Sequence, residues 1–302
     1  MNILDVIKNP CKLVLPLGRR GMLNWMSDET YLKLRYRAQM GKKLDLKEPK
    51  TYTAKLQWLK LYDHRPIYTT LVDKYAVKDH VKNLIGEEYV IPTYGVWDSF
   101  DDIEFDKLPD RFVLKCTHDS GGLIICRDKS KLDMAAARKK MERALRRDFF
   151  PVNREWSYKN VKPRFIAESY MEDSRTGELR DYKFFCFDGE PKMMFVASDR
   201  QTPGEDTKFD FFDMDYRHLD IVNGHPNAKT VPQKPENFER MKELARKLSK
   251  GLPHVRVDFY EVDGKVYFGE LTFYHFSGTV PFQPESWDET IGSWLTLPEK
   301  CR

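Results

Sequence analysis

The chain has 302 residues, 41% hydrophobic and 32% charged with both signs mixed, which excludes a disordered protein and leaves room for more than one lobe. Apolar runs such as "KFFCF" fall far short of the ~20 residues of a membrane span. The apolar centre of "MNILDVIKNPCKLVLPLGRR" is broken by Lys8, Pro10 and Lys12, so no signal peptide is expected. The net charge of +4 is uneven: residues 1–62 hold 13 Lys and Arg against 5 Asp and Glu (+8), and the remainder holds 38 against 42 (−4).

A basic segment on a mildly acidic body predicts an anionic partner for that segment, a membrane surface included, against the plainer reading of a solvated helical face. No motif for specific nucleic-acid recognition occurs. Cys11, Cys116, Cys126, Cys186 and Cys301 are odd in number and lack zinc or redox spacing, as expected of reduced thiols in a cytoplasmic protein.

In chain order, "SDETYLKLRYRAQMG" predicts a helix capped by Ser27 and stopped at Gly41. "TYTAKLQWLKLYDH" predicts a second helix with Leu56 and Leu59 on its apolar side, and a third is expected from Asp73 to Leu84. From Tyr89 the pattern becomes β. "YVIPTYGVW" is strand-like but broken by Pro92, and "RFVLKC" and "GLIIC" read as strands joined by the polar loop "THDSGG". "SKLDMAAARKKMERALRRDFF" predicts a helix capped by Ser130. "DYKFFCF" and "PKMMFVAS" flank the hairpin signal Asp188-Gly189. "PENFERMKELARKLSKG" predicts an amphipathic helix, "HVRVDFYEV" and "KVYFGELTF" a second hairpin around Asp263-Gly264, and "SWDETIGSWL" a short terminal helix. Hairpins with intervening helices, without steady βαβ alternation, predict an α+β fold with antiparallel sheets in two lobes after a helical N-terminus.

Three constellations bear on chemistry. "DSGG" offers Ser120 as a nucleophile, but His118 lies only two residues away on the same loop, and no separate base is in sight. The same stretch also reads as a phosphate loop, with Lys115 ending a strand and Gly121-Gly122 letting backbone amides approach a ligand. It is neither a Walker A loop nor part of a kinase motif set. On the last hairpin, Arg256 and Asp258 share a face, as do Glu270 and Thr272, giving hard oxygen ligands for Mg²⁺ with an arginine beside them.

The register decides whether these groups meet. A two-residue turn at Asp263-Gly264 sets Asp258 against Gly269 and turns Glu270 away. A three-residue loop sets Arg256 against Glu270, so an odd-length loop or an equivalent bulge is expected. Asp181 and Lys183 share a face of "DYKFFCF", and Glu168 leaves an apolar strand where a nucleotide base could be held. "FFDMD" offers Asp213 and Asp215 as an Asp-x-Asp metal motif of a glycosyltransferase, the competing reading, with a non-catalytic assembly partner as a further one.

Taken in order, "DK" (Asp73-Lys74), "VLKCTHDSGG", "IAESYM", "DYKFFCFDGEP", "VRVDFY" and "FGELT" resemble the ATP-grasp superfamily, and more closely the TupA-like ATP-grasp proteins associated with bacterial surface polysaccharides and often labelled glycosyltransferases. The resemblance runs from about Tyr31 to the end. It implies a nucleotide clamped between two antiparallel-sheet lobes: a helical basic segment at 1–62, a reduced N-terminal lobe at 63–105, a central lobe at 106–170 and a C-terminal lobe at 171–302. Lys74 and Lys115 would contact phosphate, and His118, Ser120, Gly121 and Gly122 would form the loop over it. Glu168, Ser169, Tyr170 and Met171 would hold adenine, with Asp181 and Lys183 near the ligand. Asp258, Glu270 and Thr272 would bind Mg²⁺, with Arg256 and Lys115 catalytic. Thr272 departs from the superfamily's usual Asn, and the basic segment stands where a larger substrate domain is usual. The implied chemistry is ATP-dependent joining of a carboxylate to an amine through an acyl-phosphate.

Overall fold

The structure, a computed structural model, describes residues 9–200 and 204–301; the first eight residues of the apolar N-terminal stretch, Lys8 among them, lie outside the described residues. Helix α1 (Val14–Arg19) is followed by α2 (Asp28–Met40), where Ser27 Oγ accepts the Thr30 amide and Gly41, at φ 70°, closes the helix as expected. Helix α3 (Tyr52–Tyr62) is capped by Thr51 and buries Leu56 and Leu59. The helix expected over 73–84 is preceded by another: α4 (Ile67–Val72) ends at Asp73, and α5 (Ala76–Ile85) begins after it. Asp73 Oδ1 accepts the amides of Tyr75 (2.8 Å) and Ala76 (3.2 Å), so it serves the junction and is not inside a helix.

Two antiparallel sheets follow. The smaller, in order β1-β4-β2-β3, comprises β1 (Thr93–Trp97), β2 (Phe112–Cys116), β3 (Leu123–Cys126) and β4 (Phe165–Ser169). Helices α6 (Met134–Leu145) and α7 (Phe150–Asn153) lie between β3 and β4 in the chain. The cap of α6 is Asp133, whose carboxylate accepts the Ala136 amide at 2.9 Å; the expected cap, Ser130, sits in the preceding 3₁₀ turn and donates its hydroxyl to Asp128. Phe112, Leu114, Met141, Phe165 and Ala167 form this lobe's core.

The larger sheet, in order β11-β10-β5-β6-β7-β8, comprises β5 (Asp181–Phe187), β6 (Glu190–Ser198), β7 (Lys208–Asp213), β8 (His218–Leu219), β10 (His254–Val262) and β11 (Lys265–Thr272). A two-stranded ribbon pairs β9 (Val222–Asn223) with β12 (Phe282–Gln283). All seven residues of β5 are buried, because α8 (Phe238–Ser249) and the N-terminal helices pack against this sheet. Tyr52 on α3 donates its hydroxyl to His254 Nε2 at 2.9 Å, while His254 Nδ1–H donates to Cys186 O at 2.9 Å. Leu56, Leu59, Tyr68 and Leu71 share one core with Phe185, Val255 and Ile291 of the terminal helix α9 (Ser286–Trp294). Helix α3 therefore does not stand apart from the C-terminal lobe, and the core it shares crosses the boundary expected at 62/63, while Val14, Tyr31, Leu32 and Ala38 of α1 and α2 form a small cluster of their own. Among the described residues, no helix is long and apolar enough to cross a membrane.

The last hairpin takes the second of the two expected devices, a bulge in place of an odd-length loop. Val262 faces Lys265 across a two-residue turn, with Asp263 at φ 49° and Gly264 at φ 76°, so the loop is not odd-length. The compensating shift falls farther along: Phe259 faces Phe268 but Asp258 faces Glu270, leaving Gly269 as the extra residue of a bulge. Asp258, not Arg256, therefore lies across from Glu270, and Arg256 lies across from Thr272. A Cβ on Gly269 would stand 3.1 Å from both Asp258 O and the Tyr260 ring, so the bulge favours glycine there.

Candidate active site

The two sheets face one another across a cleft of about 790 Å³. On β2 the period of two sends Phe112, Leu114 and Cys116 into the core and Val113 and Lys115 into the cleft. The opposite wall takes Asp181 and Lys183 from β5, Arg256 and Tyr260 from β10, and Glu270 and Thr272 from β11. Seven Lys and Arg against five Asp and Glu line it, a surplus that suits an anion.

Lys115 Nζ donates to Glu168 Oε2 at 2.6 Å, while Lys78 of α5 approaches Oε1 at 2.5 Å and Ile91 O at 2.7 Å. Burial pushes the Glu168 carboxyl up, but Lys115 and then Lys78 outweigh it and hold the group below the usual carboxylate range. Burial likewise lowers Lys78, opposed by Glu168. Glu168 thus acts through its side chain as the counter-charge of two cleft lysines. The segment after it, Ser169 to Met171, also lines the cleft. The Tyr170 ring is anchored under the Arg111 guanidinium, 4.1 Å away, and its hydroxyl accepts from Arg127 Nε at 3.1 Å.

The loop Thr117–Gly122 is tied to Lys74 twice, by the Lys74 amide to Thr117 O (3.2 Å) and by Nζ to Asp119 O (2.5 Å). Gly121 has φ 104°, and a Cβ on Gly122 would come within 2.7 Å of Asp119 Oδ1 and 2.8 Å of Ala144 Cβ, so both glycines are required by the turn. Lys74, Ser120, Gly121 and Gly122 line the cleft. His118 does not: it is buried with Nε2 bonded to Arg147 O at 3.1 Å, so the expected contact with ligand is withdrawn. With Ser120 exposed and His118 so engaged, the loop holds no serine–histidine pair.

Behind the opposite wall lies a charge network. Arg256 donates to both Asp258 oxygens at 2.7 Å, and Lys183 donates to Asp258 Oδ2 and to Asp181 Oδ1 (3.0 Å). Arg200 also donates to Asp181. Arg256 reaches Thr272 Oγ1 at 3.0 Å and Glu270 Oε1 at 3.3 Å. Its Nη1 donates to His275 Nδ1 at 2.7 Å, and His275 Nε2–H donates to Asn223 Oδ1 at 2.9 Å, which fixes the neutral tautomer. Burial, with Arg256 second, holds the His275 pKa far below its ordinary value. Asn223 is anchored in turn to Val280 O (3.2 Å) and Pro281 O (3.0 Å).

The three expected metal ligands divide. Asp258 is fully buried and does not line the cleft; both of its oxygens are taken by Arg256 and Lys183, so it positions Arg256 and does not present a free metal-binding oxygen. Glu270 is 42% exposed on the cleft side. Burial opposes its ionisation, but Lys183, Arg256 and Lys74 bring its pKa down to about 2, leaving an oxygen ligand charged at neutral pH. Thr272 lies beside it, its hydroxyl 3.4 Å from Glu270 Oε1. One carboxylate and a hydroxyl fit Mg²⁺ where phosphate oxygens and water complete the shell. Among the described residues, no cluster of three or more His, Cys, Asp or Glu forms a metal site by itself.

Residues that the sequence reading did not single out complete the cleft: Lys78, Arg200, Glu155 and His275, with Asn223 buried behind His275 and Lys60 buried behind Ser277. Phe276 (φ 45°), Ser277 (φ 59°) and Gly278 (φ 61°) form a left-handed run, strained at the two non-glycines. Gln57 Nε2 (2.9 Å to the carbonyls of both Ser277 and Gly278) and Lys60 Nζ (2.8 Å to Ser277 O, 2.7 Å to its hydroxyl) brace it from α3. The only forward signal was the density of polar residues on an otherwise apolar helix. Asp213 and Asp215, by contrast, belong to a turn outside the cleft: Asp213 Oδ1 accepts the amides of Asp215 (2.9 Å) and Arg217 (2.8 Å).

A family model described as TupA-like ATPgrasp matches residues 54–296. No curated protein matches the chain. Among solved structures, D-alanine–D-alanine ligase from Bacillus anthracis complexed with ATP is 18% identical with a TM-score of 0.41, over 68% of this chain and 54% of that one. The ATP-grasp ligase PsnB, complexed with minimal precursor, Mg and ADP, is 11% identical with a TM-score of 0.38, over 84% and 64%. The D-cycloserine synthetase DcsG is 15% identical with a TM-score of 0.40, over 86% and 73%. The chain spans little more than half the length of the Bacillus anthracis ligase. The family match extends over both sheets and all of the cleft lining except Arg35 and Gln39, and the chain belongs to the TupA-like ATP-grasp family, its α+β architecture being the ATP-grasp fold.

Proposed function

We propose that the chain is an ADP-forming carboxylate–amine ligase that binds ATP in the cleft and works through an acyl-phosphate. The observation that carries this reading is the convergence of Lys74 and Lys115 from one side, and Lys183, Arg256 and Glu270 from the other, on a single cleft roofed by a glycine loop. A carboxylate oxygen attacks the γ-phosphorus and ADP leaves; an amine then attacks the acyl carbon, and phosphate leaves with one of the original carboxylate oxygens. Lys115 and Lys183 neutralise the phosphate charge, and Arg256, held by Asp258 and His275, orients the transferring group. Val113, Leu123 and Ile125 offer an apolar slot beside Ser169–Met171 for adenine. Glu270 and Thr272 would hold Mg²⁺, which supplies further neutralisation of phosphate charge when bound.

The proposed reaction attaches an amino acid or peptide to a carboxylate of a bacterial surface polysaccharide or its precursor, in the cytoplasm. Met22 and Trp25 (58% and 80% exposed) beside Arg19 and Arg20 support peripheral membrane contact through residues 1–62. The test follows ¹⁸O from a labelled carboxylate substrate. Appearance of ¹⁸O in inorganic phosphate, formed with ADP only when an amine is present, supports the ligase. ATP consumption without transfer of the label, or sugar transfer from a UDP-sugar, contradicts it.

A further inference from the structure

Most of the buried cations along the cleft sit against a carboxylate. Arg256 has Asp258, Lys183 has Asp181 and Asp258, and Lys78 has Glu168. Lys60, behind the cleft, has no carboxylate in ion-pair range among the described residues but is bonded to Gln57 Oε1, Ser277 O and the Ser277 hydroxyl. Arg35 differs. It lies on α2, is 7% exposed and contributes to the cleft wall. Among the described residues, no carboxylate lies within ion-pair distance of its guanidinium, and its Nε and Nη1 have no hydrogen-bond partner, Tyr31 being the polar side chain that acts on it. One turn on, Gln39 also lines the cleft, and its Oε1 has no hydrogen-bond partner among the described residues either. An unpaired buried guanidinium is costly unless an anion completes it. The neighbouring acid, Glu155, acts on Arg35 only from beyond ion-pair distance, and its Oε1 accepts from Asn153 Nδ2 at 3.2 Å.

We infer that Arg35 and Gln39 form a substrate subsite on the helical wall of the cleft, taking a molecule that carries a carboxylate next to an N–H or O–H donor. The carboxylate pairs with the Arg35 fork and the donor with Gln39 Oε1. Free amino acids and hydroxy acids, hexuronates among them, share this chemistry. The subsite belongs to the same cleft as the proposed chemistry: Arg35 and Gln39 line it together with Tyr158, Arg256 and Glu270. Burial lowers the Arg35 pKa, with Tyr31 and Glu155 opposing, in keeping with a guanidinium short of counter-charge. That the occupant is a reactant rests on the ligase reading; its binding does not.

The test is calorimetric titration of the full chain, with and without saturating Mg²⁺ and a non-hydrolysable ATP analogue. The probes are a panel of free amino acids of both hands, 2-hydroxy acids and hexuronates, each paired with its neutral amide. Saturable binding by an acid, at least about tenfold weaker for its amide and for Arg35→Ala, with nucleotide affinity within about twofold of the wild type, is expected. Arg35→Lys should recover part of the loss, and Gln39→Ala should weaken the acid alone; these two variants carry the comparison should Arg35→Ala not fold. The class of acid that binds identifies the source. Equal binding of acids and amides, unchanged acid affinity in the Arg35 variants, or no acid bound at all overturns the subsite. Arg35-dependent acid binding without any nucleotide binding would leave the subsite standing and remove the ligase reading.

Discussion

At the scale of residues, buried charge in this protein is almost everywhere answered by charge or a fixed hydrogen bond, and His254 shows how that couples to pH. Its ring is locked neutral, donating to Cys186 O and accepting from Tyr52, and burial pushes its pKa down to about 3 from an ordinary 6.5. Below pH 6.5 the unfolded chain takes up a proton that the folded chain refuses until about 3, so in that window stability falls as pH falls. A His254→Gln variant, which keeps a donor and an acceptor, is expected to lose stability less steeply. The difference should approach tenfold in the folding constant per pH unit, read from denaturant curves between pH 6 and 4. Parallel slopes for the two proteins would contradict the assignment. Sequence reached Lys115 and Glu168 but not their relation: Glu168 was expected to help hold adenine, and its partner Lys78 is one of two lysines on α5. Pairing between side chains some 50 to 90 residues apart leaves no local pattern.

At the scale of elements, hairpins and caps were legible because their causes are local. Asp188-Gly189 joins β5 to β6 as its turn chemistry dictates, and Ser27 and Gly41 bound α2. The register of β10 against β11 was legible only as a requirement, that Asp258 and Glu270 share a face. The device that meets it, a bulge at Gly269, depends on close backbone approach that sequence does not display. Gly269→Val should therefore strike both stability and site. Contacts at 3.1 Å leave no room for a branched side chain, so a loss of about 2 kcal/mol in chemical denaturation is expected. ATP turnover should fall with it even where the variant remains folded, because Glu270 loses its place opposite Asp258. A variant as stable and as active as the wild type would show that the bulge is incidental.

At the scale of the molecule, the two sheets and the cleft between them follow the sequence reading, while the place of the basic helices does not. Their charge suggested a segment turned toward an anionic partner; α3 instead shares the core of the large sheet, while α1 and α2 pack mainly on each other and α2 delivers Arg35 and Gln39 to the cleft. Charge counting reads a surface and is silent about which face is buried. The central claim is that this cleft takes ATP phosphate between Lys115 and the Arg256–Glu270 wall. It is tested most directly by calorimetric titration of Mg-ATP into the wild type, Lys115→Ala and Asp213→Asn. Saturable binding is predicted, weakened at least about tenfold by Lys115→Ala and unchanged by Asp213→Asn. Undiminished affinity in Lys115→Ala, or binding of a UDP-sugar that Asp213→Asn abolishes, would contradict it.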